Sequence, residues 1–169
     1  SGGMRQRVMI AMALAHHPTV LIADEPTTAL DVTVQAHILG LLEEVQRTHR
    51  LGLVLVSHDL AVVARSADHV AVMYAGRIVE HAPADVLYAR PAHPYTRALL
   101  DSVPRRGRRG QPLVALPGAP PNPARPVPGC PFAPRCPLAE SRCTTAPPPY
   151  RVGTGHVSAC HRWAEVTAA

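Results

Sequence analysis

The chain has 169 residues, 47% hydrophobic and 17% charged, with a formal net charge of +5. That length suits one domain or a domain with an appendage, and the composition supports a packed core while excluding wholesale disorder. The longest apolar run, Val8 to Ala15, falls far short of the roughly 20 residues that span a bilayer, and no charged-then-apolar leader precedes a cleavage site. A first residue of Ser rather than Met points to a fragment. All 17 basic residues are Arg, and Lys is absent.

Prolines and charge divide the chain near residue 82. Only Pro18 and Pro26 fall in residues 1–82, and the other 17 prolines lie in 83–169. The first part carries six Arg against eight acids, the second eleven Arg against four, and all four Cys sit in the second. Two regions are expected, 1–82 and 83–169.

Met4 to Ala15 predicts a helix, opened by Ser1-Gly2-Gly3 and closed by His16-His17-Pro18. Val20 to Ala23 is a short apolar run ending in two carboxylates, as a buried parallel strand would. Asp31 caps a helix in which Val34, Ile38, Leu41 and Val45 recur at helical spacing. Leu53 to Val56 predicts a second buried strand, with a short helix from Asp59. Val70 to Tyr74 and Arg77 to Glu80 flank Ala75-Gly76 as a hairpin. Strands separated by helices indicate an α/β layer architecture. Two short helices are expected in 83–103, started near Pro83 and Pro94. Arg105 to Arg109 reads as a solvated loop, and the seven prolines of 112–128 as an extended strap.

Three places carry chemistry. The run Leu21-Ile22-Ala23-Asp24-Glu25-Pro26 delivers adjacent acids to the carboxyl end of a strand, where open α/β sheets bind ligands. One such carboxylate can hold Mg²⁺ and the next can deprotonate an attacking water. Ser1-Gly2-Gly3 opens a helix, and unpaired N–H groups there form an anion site that glycines let phosphate approach. Val54-Leu55-Val56-Ser57-His58-Asp59 ends a second strand in an imidazole able to bridge a γ-phosphate and a water.

The order Ser1-Gly2-Gly3-Met4-Arg5-Gln6-Arg7, Asp24-Glu25-Pro26, Ala29-Leu30-Asp31, Ser57-His58-Asp59 resembles the ATP-binding-cassette ATPases over residues 1 to about 82. By that resemblance, Ser1-Gly2-Gly3-Met4 corresponds to the signature motif, without its usual leading Leu and with Met for the common Gln. The same likeness makes Asp24 the Mg²⁺ carboxylate and Glu25 the general base. It makes Asp31 an acid that crosses to a partner subunit and His58 the switch histidine. The fold implied is a partial P-loop NTPase domain with a proline-rich, cysteine-containing C-terminal extension. His93-Pro94-Tyr95-Thr96-Arg97-Ala98-Leu99-Leu100, with Gly129-Cys130-Pro131-Phe132-Ala133-Pro134-Arg135-Cys136-Pro137, resembles the C-terminal extension of peptide-importer ATPase subunits. The implied setting is the cytoplasmic face of a bacterial plasma membrane, with a second ATPase subunit, two transmembrane permeases and an external solute-binding protein as partners. ATP and Mg²⁺ are the implied ligands, with Ser1, Gly2, Gly3 and Asp31 meeting ATP across a dimer.

Cys130, Cys136, Cys143 and Cys160 follow the spacing x₅, x₆, x₁₆. Four thiols can hold a tetrahedral metal or a cubane cluster, while the short CxxC pairs of zinc ribbons are absent. Free thiols or disulfides are the remaining states, the latter disfavoured in a cytosolic protein. The importer resemblance implies a [4Fe–4S] cluster at these four positions, with Zn²⁺ as the alternative. Aromatics total 4% and offer no stacking platform, so no nucleic-acid partner is expected.

ATP binding in this superfamily needs a Gly-rich loop with Lys on the phosphates. These 169 residues contain no GxxxxGK[ST] and no Lys, so they are expected to be inactive alone. Two other functions fit parts of the pattern: a non-catalytic metal-binding remnant of a transporter gene, and a DNA-repair-type ATPase sharing the signature and Walker B motifs.

Overall fold

The computed structural model describes residues 2–103, 116–122, 124 and 128–168. The Arg105–Arg109 run and part of the proline strap lie outside these residues. The chain is mixed α/β and divides into two compact units, 1–67 and 68–169. Composition shifts near residue 82; the contacts divide fifteen residues earlier, because the hairpin after Ala67 pairs, through its second strand, with a strand near the C-terminus.

The first unit runs α1 (Gly2–Leu14), β1 (Val20–Asp24), α2 (Val32–His49), β2 (Gly52–Val56) and α3 (Leu60–Ser66). The connections that follow the two strands both end in local polar chemistry. Asp31 accepts from the Val34 N–H at 2.9 Å and starts α2, while Asp59 accepts from the Ala61 and Val62 N–H groups and starts α3. Arg50 ends α2 in the left-handed conformation, its N–H bonded to the Gln46 carbonyl. The strands pair parallel, Val20 opposite Gly52 through Asp24 opposite Val56. One face of the pair packs into a core of Ile10, Leu21, Ile38, Leu42, Val45 and Leu51.

Strand burial differs from the sequence expectation. Val20, Ile22, Val54 and Val56 are 52, 68, 49 and 46% exposed. Within this unit helices cover one face of the two strands, so alternate side chains stay in water.

The second unit is built on an antiparallel sheet in the order β3-β4-β6-β5, with β3 (His69–Tyr74), β4 (Arg77–Pro83), β5 (Tyr150–Gly153) and β6 (His156–Ser158). Ala75 and Gly76 both have positive φ, 49° and 74°, the backbone that a two-residue hairpin turn requires. Among the described residues three α-helices belong to this unit: α4 (Ala84–Ala89), α5 (Pro94–Asp101) and α6 (Trp163–Ala168). The sequence reading missed β5, β6 and α6.

A buried carboxylate ties the unit together. Glu80 on β4 accepts from the Ala92 and His93 N–H groups at 2.6 and 3.0 Å, and lies 2.8 Å from His156 Nε2 on β6. The Ser158 hydroxyl donates to the Ala92 carbonyl at 2.9 Å. Thus the turn before α5 is fixed to two strands whose positions are 76 residues apart in sequence at Glu80–His156. His93 is itself buried; its Nδ1 accepts from the Tyr95 N–H and caps α5. Its ring packs 5.8 Å from that of Phe132, which also meets Tyr74 and Tyr95.

Burial lowers the His93 pKa from 6.5 to about 4. The unfolded chain therefore takes this proton first, so the stability His93 contributes is complete above pH 6.5 and falls as pH drops toward 4. The shift corresponds to a loss on the order of 3 kcal/mol. Urea unfolding from pH 7 to 4 is expected to show that decline, and His93→Asn, which keeps a capping side chain, is expected to flatten it. An unchanged slope in the variant contradicts the assignment.

Candidate functional site

Adjacent parallel strands bring their carboxyl ends to one rim, and the sequence places acids after one and a histidine after the other. Asp24 ends β1 on the parity of Val20 and Ile22, and is exposed. Glu25 follows with φ 45°, a left-handed backbone unusual for a residue with a side chain, and its N–H donates to the Val56 carbonyl at 3.0 Å. That bond fastens the first residue past β1 to the last residue of β2.

Two residues beyond Val56, the His58 ring reaches back. Its Nδ1 lies 3.0 Å from Glu25 Oε1, and Thr28 Oγ1 donates to Glu25 Oε2 at 2.9 Å. The hydrogen bond from His58 is the largest cause holding the Glu25 carboxyl below its usual value of 4.5, followed by that from Thr28. Glu25 is thus ionised at neutral pH and can only accept, so the proton in this contact sits on His58 Nδ1. The Nε2 side belongs to a side chain that is 77% exposed. An ionised carboxylate and an imidazole of fixed tautomer, open to solvent, can take a proton from a water and orient an anion.

The other residues singled out in the sequence have different surroundings. Ser1 lies outside the described residues. Gly2 and Gly3 open α1, and a Cβ on them would meet Leu30 Cδ2 at 2.9 Å and Val34 Cγ1 at 2.6 Å. Their lack of a side chain therefore serves the close packing of α1 against the start of α2, whatever else the N–H groups do. The Asp31 carboxylate is engaged in capping α2.

In the second unit, Cys130, Cys136, Cys143 and Cys160 line one small cavity with His93, Phe132 and Arg162, of about 10 Å³. Gly129 shapes it: at φ 78° its absent Cβ would lie 2.5 Å from the Cys143 and Thr144 carbonyl oxygens. Cys130 N–H donates to the Cys143 carbonyl at 3.0 Å. Desolvation pushes the Cys130 and Cys136 thiols up and Cys160 to about 11, so these three are neutral at pH 7. Backbone N–H groups two or three residues ahead oppose that: Phe132 and Ala133 on Cys130, Leu138 on Cys136, Arg162 on Cys160. Such donors suit thiolate ligands. Among the described residues, however, no three His, Cys, Asp or Glu side chains converge closely enough to hold a metal ion. The donor chemistry suits a metal, while the placement of these side chains forms no closed metal site.

Comparison with known proteins follows the same division. Residues 1–28 match the family model described as ABC transporter. Residues 79–143 match that described as oligopeptide/dipeptide transporter, C-terminal region. The oligopeptide transport ATP-binding protein OppD of Escherichia coli is 52% identical over 162 residues, covering 96% of this chain and 48% of that protein. OppD of Haemophilus influenzae is 50% identical over 165 residues, covering 98% of this chain and 51% of that protein. The chain is similar, over nearly all its length, to ATP-binding proteins of peptide transport. It spans about half the length of these relatives. A solved structure, a post-hydrolysis dimer of the ATP-binding cassette MJ0796 with ADP and Pi, is 33% identical with a TM-score of 0.44, covering 50% of this chain and 36% of that one.

Sequence reasoning singled out Glu25 and His58, which the structure brings together, but gave no role to Thr28 or Glu80. A hydroxyl three residues after an acid, across a turn, was the available signal for Thr28.

Proposed function

We propose that this chain is the ATP-hydrolysing portion of a subunit that powers import of oligopeptides, dipeptides or a related solute. One observation supports it above the rest: Glu25 and His58 meet at 3.0 Å on the rim of two parallel strands, in a chain similar to peptide-transport ATP-binding proteins. The domain proposed is part of a P-loop NTPase of the ATP-binding-cassette type, followed by the importer extension.

In this account Glu25 accepts the proton of a water as its oxygen attacks the γ-phosphorus and the bond to the bridging oxygen breaks. His58 holds that carboxylate through Nδ1–H. Its Nε2, when protonated, donates to a γ-phosphate oxygen; unprotonated, it accepts from the water. Asp24, an exposed hard-oxygen donor beside Glu25, would hold Mg²⁺, which supplies charge neutralisation at the phosphates. Ser1, Gly2 and Gly3 would present N–H groups to the γ-phosphate of ATP held by a second ATPase subunit, with Asp31 at that same boundary. Because this sequence has no phosphate-binding Lys, a Gly-rich loop from other sequence must complete the site. Two permease subunits and an external solute-binding protein are the further partners, and the location is the cytoplasmic face of the membrane. No helix among the described residues is long and apolar enough to cross it.

The test is complementation. The 169-residue chain alone is expected to hydrolyse ATP negligibly. Joined to the Lys-loop-bearing part of a related importer subunit, it is expected to turn over ATP, and Glu25→Gln to lower that rate by about 10²–10⁴-fold, as loss of a general base does. Robust turnover by the chain alone, or an indifferent Glu25→Gln, contradicts the proposal.

The shared cavity of the four cysteines supports a second part of the account. We propose that Cys130, Cys136, Cys143 and Cys160 hold a [4Fe–4S] cluster, with Zn²⁺ as the alternative. The group would serve as a staple for a segment with little core of its own. Anaerobically purified protein is expected to carry iron and sulfide in equal amounts; protein free of iron and zinc contradicts any metal at these residues.

A further inference from the structure

Thr28 lies in the turn between β1 and α2, outside every motif assigned above. Its hydroxyl donates to Glu25 Oε2 at 2.9 Å while His58 Nδ1 meets Oε1 at 3.0 Å. Both oxygens of an exposed carboxylate are thereby held by groups of its own chain. Exposed glutamates ordinarily sample several rotamers, so two anchors on one such group call for an explanation.

The backbone of the turn shows how the second anchor is delivered. Glu25 and Ala29 both take left-handed φ, 45° and 60°, though neither is glycine. Between them Thr28 N–H donates to the Glu25 carbonyl at 3.2 Å, and Leu30 N–H donates to the Thr27 carbonyl at 3.2 Å. Two strained residues bracket a tight fold of chain that carries the Thr28 side chain under the Glu25 carboxylate. Left-handed non-glycine residues persist where surrounding structure over-determines them, and they gather at functional sites. The threonine hydroxyl has one proton, and the ionised carboxylate can only accept it. The contact therefore orients Glu25 without protonating it.

Taking Glu25 as the water-activating base, we infer that Thr28 is a positioning residue, whose hydroxyl fixes the plane of the carboxylate so that Glu25 is presented to the attacking water in one orientation. His58 alone, holding one oxygen, leaves the carboxylate able to swing about that contact. The second hydrogen bond removes the swing. Loss of alignment at a reacting group carries large rate penalties, up to about 10²-fold for a displacement near 1 Å.

Thr28→Val removes the hydroxyl at nearly constant volume, and Thr28→Ser keeps it. Methylene relaxation of the Glu25 side chain, measured by NMR on the 169-residue chain, is expected to show lost order in Thr28→Val and retained order in Thr28→Ser. In the Lys-loop-complemented protein, Thr28→Val is expected to lower kcat about tenfold or more with KM for ATP unchanged, and Thr28→Ser to restore kcat. Unchanged Glu25 order in Thr28→Val overturns the inference, as does an equal kcat loss in Thr28→Ser, which marks a role in the turn alone. Lost order in Thr28→Val combined with an indifferent Glu25→Gln supports the hold on the carboxylate and overturns Glu25 as the base, so the two failures are distinguishable.

Discussion

The parallel register of β1 and β2, Asp24 opposite Val56, is the constraint on which the chemistry of this chain depends. Parallel strands end at the same rim, so residues that follow them emerge side by side although 33 positions separate Glu25 from His58. The bond from Glu25 N–H to the Val56 carbonyl extends the ladder one residue past β1 and turns the chain there. From that point the left-handed Glu25 backbone, the Thr28 hydroxyl and the His58 imidazole all act on one carboxylate. Slipping the register by one residue sends Asp24 to the other face and removes the alignment.

The two units reach order by different means. In the first, a modest aliphatic core lies on one side of the strand pair, and the opposite face leaves four aliphatic side chains in water. In the second, polar groups are buried with partners: Glu80 satisfies two backbone N–H groups and faces His156, and Ser158 serves the Ala92 carbonyl. Each of these groups would be costly to bury alone, and together they specify one arrangement of the β4–β6 edge and the turn before α5. Phe132 and its aromatic neighbours then seat the cysteine-bearing segment.

Much of the fold was legible because its signals are local. Asp31 and Asp59 mark the starts of α2 and α3 by capping chemistry that acts within three residues, and Ala75-Gly76 marks a turn by the backbone it permits. What escaped depends on distant chain. β5 and β6 are short, flank a turn that holds Gly155, and gain their identity from pairing: β6 joins β4, whose Glu80 stands opposite Ser158, and β5 joins β6. A glutamate in a strand ordinarily faces water, so nothing local distinguishes Glu80 as a buried anchor. The composition shift near residue 82 tracks proline, whereas the hairpin before it joins the later strands through hydrogen bonds that composition does not record. At the rim, the acids and the histidine were visible as residue types at strand ends. Their contact, and the Thr28 hydroxyl that completes it, needed the register and the two left-handed residues.

The most direct measurement is the ¹⁵N resonance of His58 Nδ1 at neutral pH, in the native chain and in Glu25→Gln. A proton held on Nδ1 by the Glu25 carboxylate gives a protonated, hydrogen-bonded signal that shifts when the charge is removed, with the backbone spectrum of β1 and β2 otherwise preserved. An Nδ1 signal indifferent to Glu25→Gln would mean that the two side chains do not meet, and the site built on their contact would fall with it.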